Sequence, residues 1–156
     1  MKNLILIAAL FLLVSCSNDD DNASGGMTIT TVGQGNLQNP SIKQANMVIT
    51  NKIAWEALKA KMMESDKNTT EKSLKEKDID FSKFNIIAVF YRQNSNSATS
   101  IDITKATMYS NKIVIRVENL KVSFILNIAQ PFHIVKIPKS SKNIVFEEIK
   151  NPFYSK

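Results

Sequence analysis

The sequence predicts an α+β fold: mainly antiparallel β-sheet, as a meander or sandwich, with one amphipathic helix packed on it. The second half of the chain alternates apolar and polar residues run after run, which is the pattern of half-buried strands. A single stripe, Trp55, Leu58 and Met62, recurs at helical spacing. The links between the alternating runs are short and turn-rich, as at 110–111 and 119–121. There is no internal repeat. A sandwich and a single curved sheet both satisfy these observations.

Residues 27–32 (MTITTV) read as the first strand. Gly33, Gly35, Asn36 and Pro40 then punctuate a loop. That loop lacks the third glycine, the Lys–Ser/Thr pair and the immediate helix start of a phosphate-binding loop. Residues 47–50 form a short strand, and Asn51 caps a helix predicted over 52–63. The helix stripe docks on a sheet. Residues 65–77 (SDKNTTEKSLKEK) hold one large apolar side chain, Leu74, and predict a mobile loop.

Asp80 precedes a Phe81–Phe84 turn and can accept from nearby backbone N–H groups, with both phenylalanines plugging the core. Residues 85–91 (NIIAVFY) are nearly all apolar, as in a strand covered on both faces. A turn at 94–97 follows. Ile101 and Ile103, then Ile113, Ile115 and Val117, then Val122, Phe124, Leu126 and Ile128 mark alternating strands. Residues 132–137 and 143–149 complete the set. Pro131 and Pro138 bracket one strand, at its ends or on a sheet edge.

The N-terminus is of a different kind. Lys2 is followed by an apolar stretch over 4–14, well short of the roughly 20 residues a spanning helix needs. It reads as a processed signal. It ends in Leu13-Val14-Ser15-Cys16, which resembles a bacterial lipobox. The resemblance implies cleavage before Cys16, a diacylglycerol on its sulfur and a further acyl chain on the new N-terminus. Two or more acyl chains hold a protein firmly at a bilayer.

The expected organisation is a lipoprotein signal peptide (1–15), a lipidated flexible tether (16–26), a globular domain (27–150) and a tail (151–156). The expected location is the bacterial outer membrane, on its periplasmic or cell-surface side. Asp19, Asp20 and Asp21 belong to a solvated tether, or to an address: acids just after the cysteine resemble the surface-export signal of Bacteroidetes lipoproteins. Three adjacent carboxylates lack the alternate spacing of a calcium loop.

Once Lys2 leaves with the signal, 19 basic side chains face 14 acidic ones. The lysines are scattered and no aromatic–basic motif recurs, which argues against a nucleic-acid partner. The basic balance suits an anionic polysaccharide, lipid headgroups or an acidic protein. The one cysteine is claimed by lipid, so no disulfide is expected.

His133 is the sole histidine and shares a strand face with Val135 and Ile137. No serine sits in a Gly-x-Ser-x-Gly elbow, and zinc takes several His or Cys ligands. No catalytic residue, metal or cofactor is therefore assigned. A carboxylate pair is the remaining catalytic option, with Asp80, Asp102, Glu118, Glu147 and Glu148 as candidates by type.

The sequence is similar to the PrcB C-terminal domain family over residues 28–149. The likeness rests on Trp55 opening a helix in IAWEAL (53–58), on IDFSKF (79–84) running into NIIAVF (85–90), and on QPFHIVKIPK (130–139). The Gly33 and Gly35 stretch also resembles a glycine-containing loop upstream of that domain. Family members carry a glycine pair after the buried strand; here that place reads RQNSNSAT (92–99), without glycine.

The family takes its name from a lipoprotein partner of a surface protease complex. The resemblance therefore implies a non-catalytic binding or assembly module, held at the membrane through Cys16 and engaging a protein, such as a protease. The contact residues expected are Arg92, Gln93, Asn94, Asn96, Phe132 and His133, with the 65–77 loop. The other reading is a small envelope hydrolase or carbohydrate-processing protein using the carboxylates above.

Overall fold

Two four-stranded sheets and one helix make three layers. The computed structural model describes residues 23–38, 41–93, 100–121 and 129–149. The elements run β1 (Ala23–Met27), β2 (Thr30–Leu37), β3 (Ala45–Ile49), α1 (Lys52–Ser73), β4 (Phe84–Phe90), β5 (Ser100–Tyr109), β6 (Lys112–Lys121), β7 (Gln130–Pro138) and β8 (Asn143–Ile149). The helix-side sheet has the order β2-β7-β4-β3 and the outer sheet the order β1-β5-β6-β8. All pairings are antiparallel except β6 with β8, which is parallel because the chain leaves β7 in one sheet and enters β8 in the other. A sandwich is thus realised rather than a single curved sheet or simple meander.

The apolar run of β4 follows from this layering. Ile86, Ala88 and Phe90 face α1, while Ile87 and Val89 face the outer sheet. β7 divides likewise: Phe132 and Ile134 pack under the helix, and Val135 and Ile137 pack against Ile101, Ile103, Ile113, Ile115 and Val117. β4 and β7, the central strands of the helix-side sheet, are therefore dry on both faces, whereas β5 and β6 alternate because their far face meets solvent. Pro131 and Pro138 lie at the two ends of β7, a central strand, rather than on an edge.

Several elements depart from the sequence expectation. Residues 23–26, expected within the tether, belong to β1, which pairs with the exposed flank of β5. The expected glycine loop at 33–36 is strand. Glycine is needed there for close approach, not for a turn: a Cβ on Gly33 would lie 2.7 Å from Leu74 Cδ2 and 3.2 Å from the Ser73 carbonyl oxygen. The expected link at 119–121 lies inside β6. The turn at 94–97 and the strand at 122–128 lie outside the described residues.

The expected mobile loop at 65–77 is the largest correction. Helix continues to Ser73, broken only at Asp66 (φ −154°, ψ 90°). Polar capping holds this segment, not an apolar stripe. The Asp66 carboxylate accepts the Thr69 N–H at 3.0 Å and the Gln38 N–H at 3.0 Å, and the Thr69 hydroxyl bond pulls its pKa below the ordinary value. Thr70, fully buried, donates its hydroxyl to the Met62 carbonyl at 2.9 Å. Leu74 then buries against Gly33, and Lys136 grips Glu76 through both carboxylate oxygens at 2.7 and 2.6 Å.

The shorter expectations hold except at Phe84, expected to plug the core but part of neither core cluster. Asn51 caps α1 by accepting the Ala54 N–H at 2.9 Å. Trp55 is fully buried, its indole N–H donating to the Lys77 carbonyl at 3.0 Å. Asp80 accepts the Ser82 N–H at 3.0 Å, and the Ser82 hydroxyl bond is the main cause of its lowered pKa. Phe81 packs on the helix-side core, while Phe84 lies under the Lys136 ammonium, 4.7 Å from its ring centre.

Candidate functional site

The residues singled out in the sequence do not form one surface. Arg92 and Gln93 are exposed beyond β4, with the Arg92 guanidinium 5.7 Å from the Tyr91 ring centre. Asn94, Asn96 and Cys16 lie outside the described residues. Phe132 and His133, expected as contacts, are core. Phe132 is fully buried and stacked on Phe90, with ring centres 5.8 Å apart. His133 is 6% exposed. Both lie on a central strand covered on both faces, where no partner reaches them without opening the sandwich.

His133 ties the two sheets together. Its Nδ1 accepts the Ile103 N–H at 2.9 Å, and its Nε2 lies 3.1 Å from Thr31 Oγ1. A nitrogen that accepts a backbone N–H carries no proton, so the neutral ring holds its hydrogen on Nε2 and donates it to Thr31. Burial pushes the imidazole below its ordinary value of 6.5; Asp102 opposes that and Lys75 adds to it. Nucleophile activation needs Nε2 free to accept and Nδ1–H oriented by an acid. Here both roles are reversed.

Beside it, Gln34, Gly35, Asn36, Ser100, Asp102 and Phe132 line a small cavity of about 280 Å³. Asp102 accepts from Gln34 Nε2 and, at 2.8 Å, from the Ser100 hydroxyl. Of the five acids considered as catalysts, Asp102 and Glu118 are brought to one register position across β5 and β6. Glu118 is engaged by Arg116 Nε at 2.6 Å. Glu148 accepts from Asn46 at 2.9 Å, on β8, and Asp80 precedes β4. Among the described residues, no three His, Cys, Asp or Glu side chains gather to hold a metal.

The larger concavity was missed by sequence reasoning. It is a groove of about 770 Å³ between β3 and the first limb of α1. Met47 and Ile49 form one wall, with Ile42 and Ala45 leading in. Ala54, Ala57, Leu58, Lys61 and Glu64 form the other; their three- and four-residue spacing puts them on one flank of the helix. Two alanines on that flank leave the space open.

Among the described residues β3 ends its sheet, and the hydrogen bonds fix which of its groups point outward. Tyr91 N–H donates to the Pro131 carbonyl and Lys139 N–H to the Lys83 carbonyl, so odd-numbered residues of β4 bond towards β7. Even-numbered residues, Ile86, Ala88 and Phe90, therefore bond towards β3, where their partners are Ile49, Met47 and Ala45. The N–H and C=O groups of Asn46 and Val48 face away from the sheet. The opposite edge, β2, is covered: Leu74 bridges Gly33, and Lys75 N–H donates to the Val32 carbonyl at 2.8 Å.

No protein-family model matches the chain, and no curated protein and no solved structure matches it either.

Proposed function

We propose that the chain is a lipid-anchored, non-catalytic binding or assembly module of the bacterial envelope that engages a protein partner, such as a surface or secreted protease. The observation carrying this reading is the β3–α1 groove: mostly apolar walls beside a strand edge that is unpaired among the described residues. Such surfaces recognise polypeptide rather than transform small substrates. The lipobox-like run ending in Cys16 supports the anchor. Among the described residues no helix is long and apolar enough to cross a membrane. The likeness to the PrcB C-terminal domain family supports the choice of a protease as partner.

The test is crosslinking on intact native cells, with mass spectrometry of what copurifies, for the wild-type chain and a Cys16→Ser variant. The variant is expected to leave the membrane fraction and to lose its partner. Repeated recovery of a secreted or surface protease supports the reading. Recovery of abundant envelope proteins alone moves the chain to a structural role, and a Cys16→Ser protein that stays in the membrane fraction removes the anchor.

The pairing of Asp102 with Glu118 favours the hydrolase as the second reading. Each of these carboxylates already has a donor from its own chain, which leaves less of it free for a substrate. Under the binding reading, Asp102→Asn and Glu118→Gln leave partner recovery unchanged.

A further inference from the structure

We infer that β3 receives an extended peptide segment of the partner, added as a fifth strand to the helix-side sheet, with alternate apolar side chains in the α1 groove and an acidic residue at its rim. The inference rests on the binding reading and names the partner's chemistry. The backbone carries it first. Asn46 and Val48 each present an N–H and a C=O outward, and no hydrogen bond within the described residues uses them. Two outward residues, separated by one that faces inward, are the repeat that a neighbouring strand completes.

Edge strands are ordinarily shielded by charge, by a bulge or by cover. β2 is covered by Leu74 and Lys75, and β8 carries Glu147 and Glu148. β3, with the sequence ANMVI, has no such guard among the described residues, and Val48 stands 40% exposed on it.

The groove then sets the side chains. A strand laid beside β3 places every second residue on the α1 face, over Met47 and against Ala54, Ala57 and Leu58. Five residues of added strand run about 17 Å, so two or three side chains enter. Medium-sized apolar groups fit, because the alanines set the far wall.

Charge decides between occupants. Lys43 and Lys61 line the groove, and neither has an ion-pair or hydrogen-bond partner among the described residues; Glu64 is the one acid lining it. The rim therefore favours a carboxylate. A second copy pairing through its own β3 does not bring one: from Ser41 to Trp55 the sequence carries Lys43 and Lys52 and no acid.

The experiment selects from a random nonapeptide display library on the immobilised full chain, purified in detergent. Enriched sequences are expected to alternate apolar and polar residues and to carry Asp or Glu near one end. A fluorescein-labelled copy of the best sequence is then titrated against variants. Val48→Pro deletes one outward N–H, at an edge position that tolerates proline, and is expected to weaken binding about tenfold. Ala57→Arg, exposed and outside the sheet, fills the groove and should weaken it at least as much. Lys61→Glu should weaken acidic peptides and remove their salt dependence. Circular dichroism and unfolding midpoints like those of the wild type show that the variants fold.

An empty selection, or peptides indifferent to both Val48→Pro and Ala57→Arg, overturns the proposal. So does self-association of the chain that Val48→Pro abolishes, which would make a second copy the occupant. A partner recovered from cells while the peptides fail keeps the binding reading and discards β3. Peptides bound at β3 with no partner from cells do the reverse.

Discussion

Trp55→Ala is expected to destabilise the chain by about 3–5 kcal/mol, the range for truncating a large aromatic in a packed core. Trp55 is fully buried, and its neighbours in the helix-side core include Leu58, Met62, Ile86 and Phe132. The loss is one of packing. The Lys77 carbonyl that accepts the indole N–H also accepts Lys59 Nζ at 3.2 Å, so it keeps a donor when the indole goes. Trp55→Phe should therefore cost far less, on the order of 1 kcal/mol. Urea unfolding of the full chain measures both. A loss below about 1 kcal/mol for Trp55→Ala contradicts the packing of α1 on β4 and β7. Because Trp55 seats the first limb of α1, the alanine variant should also lose groove binding, while the phenylalanine variant retains it.

The parts of this fold legible in the sequence are those whose signal is periodic. Ile113, Ile115 and Val117 alternate because one face of β6 is wet, and the NIIAVF run does not alternate because neither face of β4 is. What stayed hidden depends on contacts between distant residues. Residues 65–77 look like a solvated loop because their cohesion comes from Asp66 capping Thr69, Thr70 reaching Met62, and Lys136 holding Glu76. None of these leaves a hydrophobic period. Gly33 and Gly35 read as turn residues, yet their missing side chains make room for Ser73 and Leu74 against a strand.

The candidate site was less legible still. Whether a strand is an edge is a property of the sheet order, and ANMVI reads the same in the middle or at the rim. The flank Ala54, Ala57, Leu58, Lys61 and Glu64 was present as a pattern, small on one side of the Trp55 stripe, but it acquires meaning only beside β3. Phe132 and His133 drew attention as an aromatic and a histidine next to Pro131. Alternation alone already placed His133 with Val135 and Ile137, and that face turned out to be sealed by the outer sheet.

That sealing gives His133 the second large effect, a loss of stability on mild acidification. Above its unfolded value of about 6.5 the ring is neutral in both states, and the full contribution of the Ile103 and Thr31 hydrogen bonds is present. Burial holds the folded-state pKa below that value. As pH falls through 6.5 the unfolded chain takes up a proton that the folded chain refuses, so stability declines until pH reaches the folded value. Protonation in place would set an Nδ1–H against the Ile103 N–H, donor facing donor. Asp66 and Asp80, with pKa values lowered from 3.8, keep their contributions until the pH is lower still, which separates the two windows. His133→Leu should cost about 1–3 kcal/mol at pH 8, because it orphans the buried Ile103 N–H, and should flatten the pH dependence in the range just below 6.5. Urea midpoints of both proteins across that range test this. Equal slopes for the two, or an imidazole that titrates at or above 6.5 by NMR, would sink the inter-sheet role of His133. The consequence for binding is directional. β3 and its groove belong to the sheet that His133 clamps from behind, so acid that loosens the clamp should weaken peptide capture in the wild type and spare it relative to neutral pH in His133→Leu.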